Sequence, residues 1–250
     1  MKKVFFISDI HLGFGTKQED LFREKKLIEF LENIKNECSE LYIVGDLFDF
    51  WFEYRRVVPK GYFKVLSKLS DFIENGIPIH YLVGNHDCLL RDYFEKEIGL
   101  KVYWNEIERE ILGKKFFIHH GDGLLKNDTG YKILKAILRN KFNQWLFSLV
   151  HPDFGVWLGS VSSNKSRSYT SKKDYGKKDS LLEYATKKIE QGFDYVIFGH
   201  IHKLVKIQIN SGYYINLGDW INNYSYGVFD GNEFNLKQLN INDEGLNGRK

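Results

Sequence analysis

Short apolar runs alternate with amphipathic segments through the first half of the chain. Val4–Ser8, Leu41–Val44 and Ile79–Val83 are bounded apolar runs of strand type. Between the first two, Leu21, Leu27, Ile28, Leu31 and Ile34 recur at helical spacing, with Arg23, Glu24, Lys25, Glu29 and Glu32 interleaved. Tyr62, Val65, Leu66, Leu69 and Ile73 repeat the pattern; Gly76 then serves as a stop and Pro78 opens the next strand. The order strand–helix–strand–helix–strand predicts a layered α/β core.

The later pattern is mixed. Lys101–Glu110 and Phe116–His119 read as strands around a turn at Gly113. Asn127–Leu158 has long helical character rich in Ile, Leu, Phe and Trp, and Ser160–Lys178 is polar and basic. Leu181–Gln191 returns to an amphipathic helix, followed by strand-type runs at Tyr195–Phe198, Tyr213–Leu217, Tyr226–Phe229 and Phe234–Leu239. Asp230-Gly231-Asn232 marks a hairpin turn, and Asn240–Lys250 is a polar tail. No internal repeat is visible. The reading is a single domain over 1–250, with an inserted helical cap at about 124–180.

Composition narrows the class. The hydrophobic fraction of 43% and charged fraction of 28% are those of a globular protein. A net charge of +3 gives no ground for a nucleic-acid partner. Cys38 and Cys88 are the only cysteines, so no disulfide framework is expected and a reducing compartment suits the chain. Met1-Lys2-Lys3-Val4 runs straight into a strand without a signal-type apolar core. No apolar run approaches the ~18 residues that span a bilayer. The expectation is a cytoplasmic protein that can touch a membrane surface. Aromatic content is high, at 16%; most of it must be core, with a share left for a binding surface.

The chemistry sits at the ends of the strand-type runs. Val4–Ser8 leads into Asp9 and His11, and Leu41–Val44 into Gly45-Asp46-Leu47-Phe48-Asp49. Ile79–Val83 leads into Gly84-Asn85-His86-Asp87, Phe116–His119 into His120-Gly121-Asp122, and Tyr195–Phe198 into Gly199-His200-Ile201-His202. Ligands in open α/β sheets bind beyond the carboxyl ends of strands. Taken singly, each motif is most simply a strand-end turn. Taken together and in order, they can supply two divalent ions: Asp46 as a bridge, Asp9, His11 and His202 on one side, Asn85, His120 and His200 on the other. Two such ions polarise a phosphoryl oxygen and supply a hydroxide nucleophile at neutral pH. Mixed imidazole and carboxylate donors suit Mn, Fe or Zn better than Ca.

The ordered set resembles the calcineurin-like metallophosphoesterase superfamily from Met1 to about Gly218. That resemblance implies a β-sandwich flanked by helices, a dinuclear centre at one end, and the ligand set just given. Neighbouring strand residues face opposite sides, so His119 and His120 cannot both bind; the family's His-Gly-Asp motif selects His120. Asp87 and Asp122 are groups that orient ligands, or plain loop caps. The resemblance places His86 over the phosphate, where it protonates or stabilises the leaving oxygen.

Further motifs bear on the substrate. Asp128-Thr129-Gly130-Tyr131, Ser166-Arg167-Ser168-Tyr169-Thr170-Ser171-Lys172-Lys173 and Gly45-Asp46-Leu47-Phe48-Asp49-Phe50-Trp51 resemble those of the UDP-2,3-diacylglucosamine diphosphatase family of lipid A biosynthesis. The resemblance implies water attack on the uridine-side phosphorus, giving UMP and 2,3-diacylglucosamine 1-phosphate. It implies Mn(II) as the metal and a lipid-linked UDP-sugar as the partner. It also implies a peripheral position on the cytoplasmic face of a Gram-negative inner membrane. Substrate contacts would fall on Asn85, His86, Asp128, Ser166, Thr170, Lys173 and His200. His86 departs from members that carry arginine there; arginine only stabilises charge, whereas histidine also moves a proton. Ile133, Leu134, Ile137, Leu138, Phe142, Trp145, Leu146, Phe147 and Leu149, with Lys132, Lys135, Arg139 and Lys141 among them, form a helix that rests on lipid, walls an acyl groove, or packs on its neighbour. Two alternatives remain: another metallophosphoesterase, such as a soluble phosphodiesterase or nucleotide pyrophosphatase that needs no acyl groove, and a non-catalytic scaffold of the same fold.

Overall fold

The computed structural model describes residues 2–86, 90–124, 136–137, 140–155 and 180–241. Asp87, Cys88, Asp128, Ser166, Thr170 and Lys173, and most of the expected cap, lie outside these residues.

Four layers stack as helix, sheet, sheet, helix. The first sheet has six strands in the order β11-β10-β1-β2-β3-β4. Its members are β1 (Lys3–Ile7), β2 (Cys38–Val44), β3 (Ile79–Leu82), β4 (Lys101–Tyr103), β10 (Ser225–Phe229) and β11 (Phe234–Gln238). β1 to β4 are parallel neighbours, whereas β10 runs antiparallel to β1 and β11 to β10. The second sheet, β5-β6-β7-β9-β8, comprises β5 (Ile107–Ile111), β6 (Lys114–Ile118), β7 (Tyr195–Phe198), β8 (Leu204–Ile209) and β9 (Gly212–Leu217). Here β6, β7 and β9 are parallel, with antiparallel strands at both edges.

Alternation along β1 explains the layering. Val4 and Phe6 point into the space between the sheets, where they meet Tyr42, Val44, Phe116, Ile118, Tyr195, Ile197, Phe229 and Phe234. Phe5 and Ile7 point the other way, onto α1 (Lys17–Ile34) and α2 (Phe63–Glu74). Both faces are covered, so the run is apolar at every position. Aromatic rings fill both the space between the sheets, where Phe6 stacks on Tyr42 at 5.0 Å and on Phe116 at 5.9 Å, and the helix-facing side, where Phe48, Trp51, Phe94 and Trp220 are buried. On the far side α4 (Ser180–Glu190) lays Leu181, Ala185 and Ile189 on Phe117, Val196, Phe198 and Tyr214. α1 starts at a capping box, with Thr16 and Glu19 bonding reciprocally; such a cap is worth about 1 kcal/mol.

Three local features differ from the sequence reading. Lys101–Glu110 is two strands in different sheets, because the chain leaves β4 at Tyr103 and enters β5 at Ile107. β8 was not anticipated: it is a half-exposed edge strand whose lysine and glutamine sit among apolar residues. The helical character expected over Asn127–Leu158 contains a boundary at Asn140, whose side chain caps α3 (Lys141–Ser148) by accepting from the Phe142 and Asn143 N–H groups. A π-turn lies at Phe94–Ile98.

Candidate metal centre

The carboxyl ends of β1, β2, β3, β6 and β7 all open on one end of the sandwich. Each loop leaves its strand abruptly. Asp9, His11, Asp46, His200 and His202 have φ of +52° to +69°, a left-handed conformation uncommon outside glycine. Each such residue costs about 1 kcal/mol or more and persists only where surrounding structure dictates it. Here the dictating bonds run between loops. Asp9 N–H donates to Gly45 O at 3.1 Å and His11 N–H to Asp46 O at 3.0 Å. Trp220 N–H donates to Asp9 O at 3.0 Å, and Gly199 N–H to His120 O at 2.9 Å. Gly45 is required twice over: its φ is +83°, and a Cβ there would collide with His120 Nδ1. At Gly84 a Cβ would strike Asp46 Oδ1.

The seven side chains expected as ligands meet in this space. On one side, Asp9 Oδ1 lies 3.3 Å from His202 Nε2 and 3.7 Å from His11 Nε2. On the other, His120 Nε2 lies 3.0 Å and His200 Nδ1 2.9 Å from Asn85 Oδ1. Asp46 stands between them, with Oδ2 3.8 Å from His11 Nε2 and 3.4 Å from His120 Nε2. Its Oδ1 accepts the His86 N–H at 2.9 Å. Asp9–His11–His202, Asp9–Asp46–His120 and His11–Asp46–His86 each offer ligand atoms within 4.8 Å of one another. His86 is therefore at the centre, its Nδ1 2.9 Å from Asp49 O. His119 turns away: its Nδ1 accepts the Gly121 N–H at 2.7 Å, and its ring lies beside Phe198. Asp122 is buried, and its charge acts on both His120 and His200.

The electrostatics are those of a buried cluster of opposite charges. Burial works against the Asp9 carboxylate, but His202 and His11 hold it well below the usual range. Asp46 is depressed in the same way, chiefly by His120 and then His86. Burial would neutralise His120, yet Asp46 raises it well above the ordinary histidine value. Burial likewise opposes His202, which Asp9 and Asp219 bring to about 10. His200 moves the other way: burial pushes it down to about 4, with His120 adding to the effect. Protons thus stand where cations would balance these carboxylates.

The residues fit a pair of divalent ions. Asp9 Oδ1 is fully buried, makes no well-formed hydrogen bond among the described residues and faces imidazole nitrogens, an arrangement costly unless a cation is shared. Two carboxylates, one amide oxygen and four imidazoles form a borderline donor set of the kind first-row metals take.

Three neighbours escaped the sequence reading. Asp219 is buried, with Oδ2 3.3 Å from His202 Nδ1. Its signal was present: Leu217-Gly218-Asp219 repeats the strand-then-Gly-Asp pattern of Val44-Gly45-Asp46. Asp49 Oδ1 lies 3.6 Å from His11 Nδ1 and 3.7 Å from His86 Nδ1. Arg23, which reads as one of the polar residues of α1, is buried and donates to His11 O at 2.9 Å, Phe14 O at 3.0 Å and Trp220 O at 3.3 Å.

Two stacked mixed sheets between helices, with carboxylate, amide and imidazole donors converging from five strand ends, define a metal-dependent phosphoesterase. The chain belongs to the calcineurin-like phosphoesterase family, whose family model matches residues 2–204. It is 34% identical to the UDP-2,3-diacylglucosamine hydrolase of Porphyromonas gingivalis, the match covering 95% of this chain and 97% of that one. It is 30% identical to the UDP-2,3-diacylglucosamine hydrolase of Histophilus somni, over 88% of this chain and 93% of the other. Among solved structures, an archaeal phosphodiesterase resembles it with a TM-score of 0.49 at 19% identity, over 95% of this chain and 99% of that one.

Proposed function

We propose that this chain hydrolyses the pyrophosphate of UDP-2,3-diacylglucosamine to UMP and 2,3-diacylglucosamine 1-phosphate, with water attacking the uridine-side phosphorus. The observation that supports the substrate is the match, along nearly the whole chain, to proteins named for that activity. The convergence of the strand-end donors supports the chemistry. Asp9, His11, Asp46 and His202 would hold one Mn(II), and Asp46, Asn85, His120 and His200 the other. The metal pair supplies Lewis-acid polarisation of the pyrophosphate and a nucleophile from water at neutral pH.

The remaining work falls to the chain's own side chains. His86 Nδ1 donates to the Asp49 carbonyl, which turns Nε2 outward as the atom that offsets charge on the leaving phosphate. Asn85 and His200 line the same wall and touch the phosphates. Asp128, Ser166, Thr170 and Lys173 are the proposed contacts of the sugar and pyrophosphate; a lysine there neutralises phosphate charge.

The acyl chains and the membrane fall to α3. None of its residues is buried, and Phe142 and Trp145 stack on each other at 5.8 Å while more than half exposed. Of its apolar side chains, Phe147 turns inward, onto Phe52 at 4.5 Å. The loop carrying Phe52 continues into exposed Arg55, Arg56 and Lys60. An apolar surface rimmed by cations suits the cytoplasmic face of an anionic inner membrane. No helix among the described residues is long and apolar enough to cross a membrane.

Turnover of the diacylated UDP-sugar, compared with its unacylated counterpart, tests this reading. A clear preference for the acylated substrate is expected; equal kcat/KM favours a phosphoesterase of unacylated substrates. Asp46→Ala should lower turnover by more than the about 10²–10³-fold that losing one charge-stabilising group costs. Near-normal turnover by that variant with both metals retained would remove the assigned centre. A non-catalytic scaffold would tolerate lost ligands, whereas every proposed ligand position here holds a competent side chain facing the cluster.

A further inference from the structure

We propose that Asp219 is a positioning residue that fixes the His202 imidazole with Nε2 aimed at the metal. The proposal rests on the two-metal reading above and assigns a task to a residue outside the expected ligand set.

His202 is held less by packing than Asp9, His11, Asp46 or His120. Its side chain is 32% exposed, whereas those of Asp9, His11, Asp46 and His120 are at most 2% exposed. No strand carries it, and its φ is +56°. Left to itself, the ring would sample several rotamers. The Asp219 carboxylate replaces the missing packing: Oδ2 lies 3.3 Å from Nδ1, and Nε2 then faces Asp9 Oδ1 and His11 Nε2, each at 3.3 Å.

Asp219 is itself immobilised. Oδ1 accepts the N–H groups of Ile221, Asn222 and Asn223 at 3.0, 2.7 and 3.0 Å. The same loop donates Trp220 N–H to Asp9 O and is gripped through Trp220 O by Arg23. One rigid loop after β9 thus holds both the Asp9 backbone and the His202 ring. A turn cap alone would use only Oδ1, and asparagine would serve equally well. The second oxygen, aimed at Nδ1, is what a cap does not need. It requires the proton on Nδ1 and so leaves the Nε2 lone pair for the metal.

Asp219→Asn separates the two roles. The variant keeps an oxygen for the turn but presents an N–H₂ to His202 Nδ1. The ring must then accept at Nδ1 and carry its proton on Nε2, where the metal should be. Calorimetric titration of Mn(II) into metal-free protein reads the effect without substrate. Wild type is expected to take up two equivalents. Asp219→Asn should weaken one of them by about 10–100-fold, with the melting temperature of the metal-free protein within about 4 °C of wild type. Excess Mn(II) should restore its kcat at unchanged KM. ¹⁵N spectra of the metal-free variant should show the His202 ring accepting at Nδ1 and protonated at Nε2. Asp219→Ala, which also loses the cap, should lower the melting temperature further. Wild-type affinity for both equivalents in Asp219→Asn overturns the proposal. So does parallel weakening of both with a melting temperature as low as that of Asp219→Ala. Failure of wild type to bind two ions would instead defeat the two-metal reading, and the proposal with it.

Discussion

His11 and His202 present their Nε2 atoms to each other at 3.3 Å across 191 residues of sequence. Two imidazole nitrogens at that distance can share one proton at best, and both also face Asp9 Oδ1. The two histidines come from different sheets, His11 after β1 and His202 after β7. Bringing them together requires strained backbone at both. A fold optimised for stability alone would not retain that arrangement; a fold that gathers donors for a cation would.

Metal uptake should therefore release protons and stabilise the fold. Burial opposes the charge on His202, but Asp9 raises it to about 10, so the metal-free protein carries that proton at neutral pH. A cation must displace it. Mn(II) titrations at pH 7–8 in buffers of differing ionisation enthalpy should report net proton release, and apparent affinity should rise as pH increases towards 10. Free Mn(II) at a hundred times Kd should add about 2.7 kcal/mol per site, read as a higher melting temperature that a chelator reverses. An unchanged melting temperature would contradict the assigned donor set.

Arg23 should matter far more than its place in an amphipathic helix suggests. It is buried and donates to carbonyls of two site loops, at His11, Phe14 and Trp220. Arg23→Met leaves these acceptors without their donor at about 1–3 kcal/mol each when buried, less what water recovers. The expected loss is about 2–4 kcal/mol, measured as a lower denaturant midpoint at unchanged slope. Metal affinity should fall with it, because His11 and Asp9 share those loops.

Much of this architecture was legible before the structure, and the reasons are local. Both faces of β1, β2 and β3 are covered, so their runs are mostly apolar and announce themselves. The donors at their ends stand out because polar groups at a strand terminus break that run. What escaped depends on contacts no period encodes. Arg23 reads as a solvated helix residue until the Trp220 loop folds over it. Asp219 is separated from its own imidazole partner by an entire hairpin, β8 to β9. β8 is the exception: Val205-Lys206-Ile207-Gln208-Ile209 alternates strictly between apolar and polar, the pattern of a half-buried edge strand, so its signal was present. The break between β4 and β5 is tertiary, since Trp104–Glu106 only has to carry the chain from one sheet to the other.

A polar bridge at the edge of the sandwich gives a pH test away from the metal centre. His80 on β3 is stacked on Tyr42 at 4.5 Å, and its Nε2 lies 3.2 Å from Glu40 Oε2 on β2. Tyr42 OH donates to the same oxygen at 2.8 Å, and Arg109 reaches it from β5 in the other sheet at 3.8 Å. His80 is the main cause that holds the Glu40 carboxyl below its usual value; burial opposes it, and Tyr42 and Arg109 add to the lowering. A depressed carboxyl contributes stability above its unfolded pKa of about 4.3 and loses it as pH falls through the folded value. Glu40→Gln should therefore melt below wild type at pH 6–7, and the two curves should converge as pH falls through that lowered carboxyl value. A difference that persists in acid would mean that shape, not charge, links the sheets here.

The apolar face of α3 should be expendable for folding and needed for the substrate. Phe142 is 63% and Trp145 53% exposed, so replacing either with serine removes little buried area. Such surface substitutions usually stay within about 0.5 kcal/mol. Phe147, packed on Phe52, is the internal contrast: Phe147→Ala should destabilise, though by less than the about 3–5 kcal/mol of a fully enclosed phenylalanine, because it is only partly buried. If the exposed rings meet acyl chains or lipid, Phe142→Ser with Trp145→Ser should raise KM for the diacylated UDP-sugar. Their binding to anionic vesicles should weaken, with kcat/KM on an unacylated phosphodiester unchanged. Apolar burial at about 25 cal/mol per Å² makes two lost aromatic contacts worth roughly 2–3 kcal/mol if each ring loses 40–60 Å² of contact, or about 30–150-fold in affinity. A double variant with wild-type KM and vesicle binding would leave α3 without a role in either, and the acylated substrate without its most exposed support in this fold.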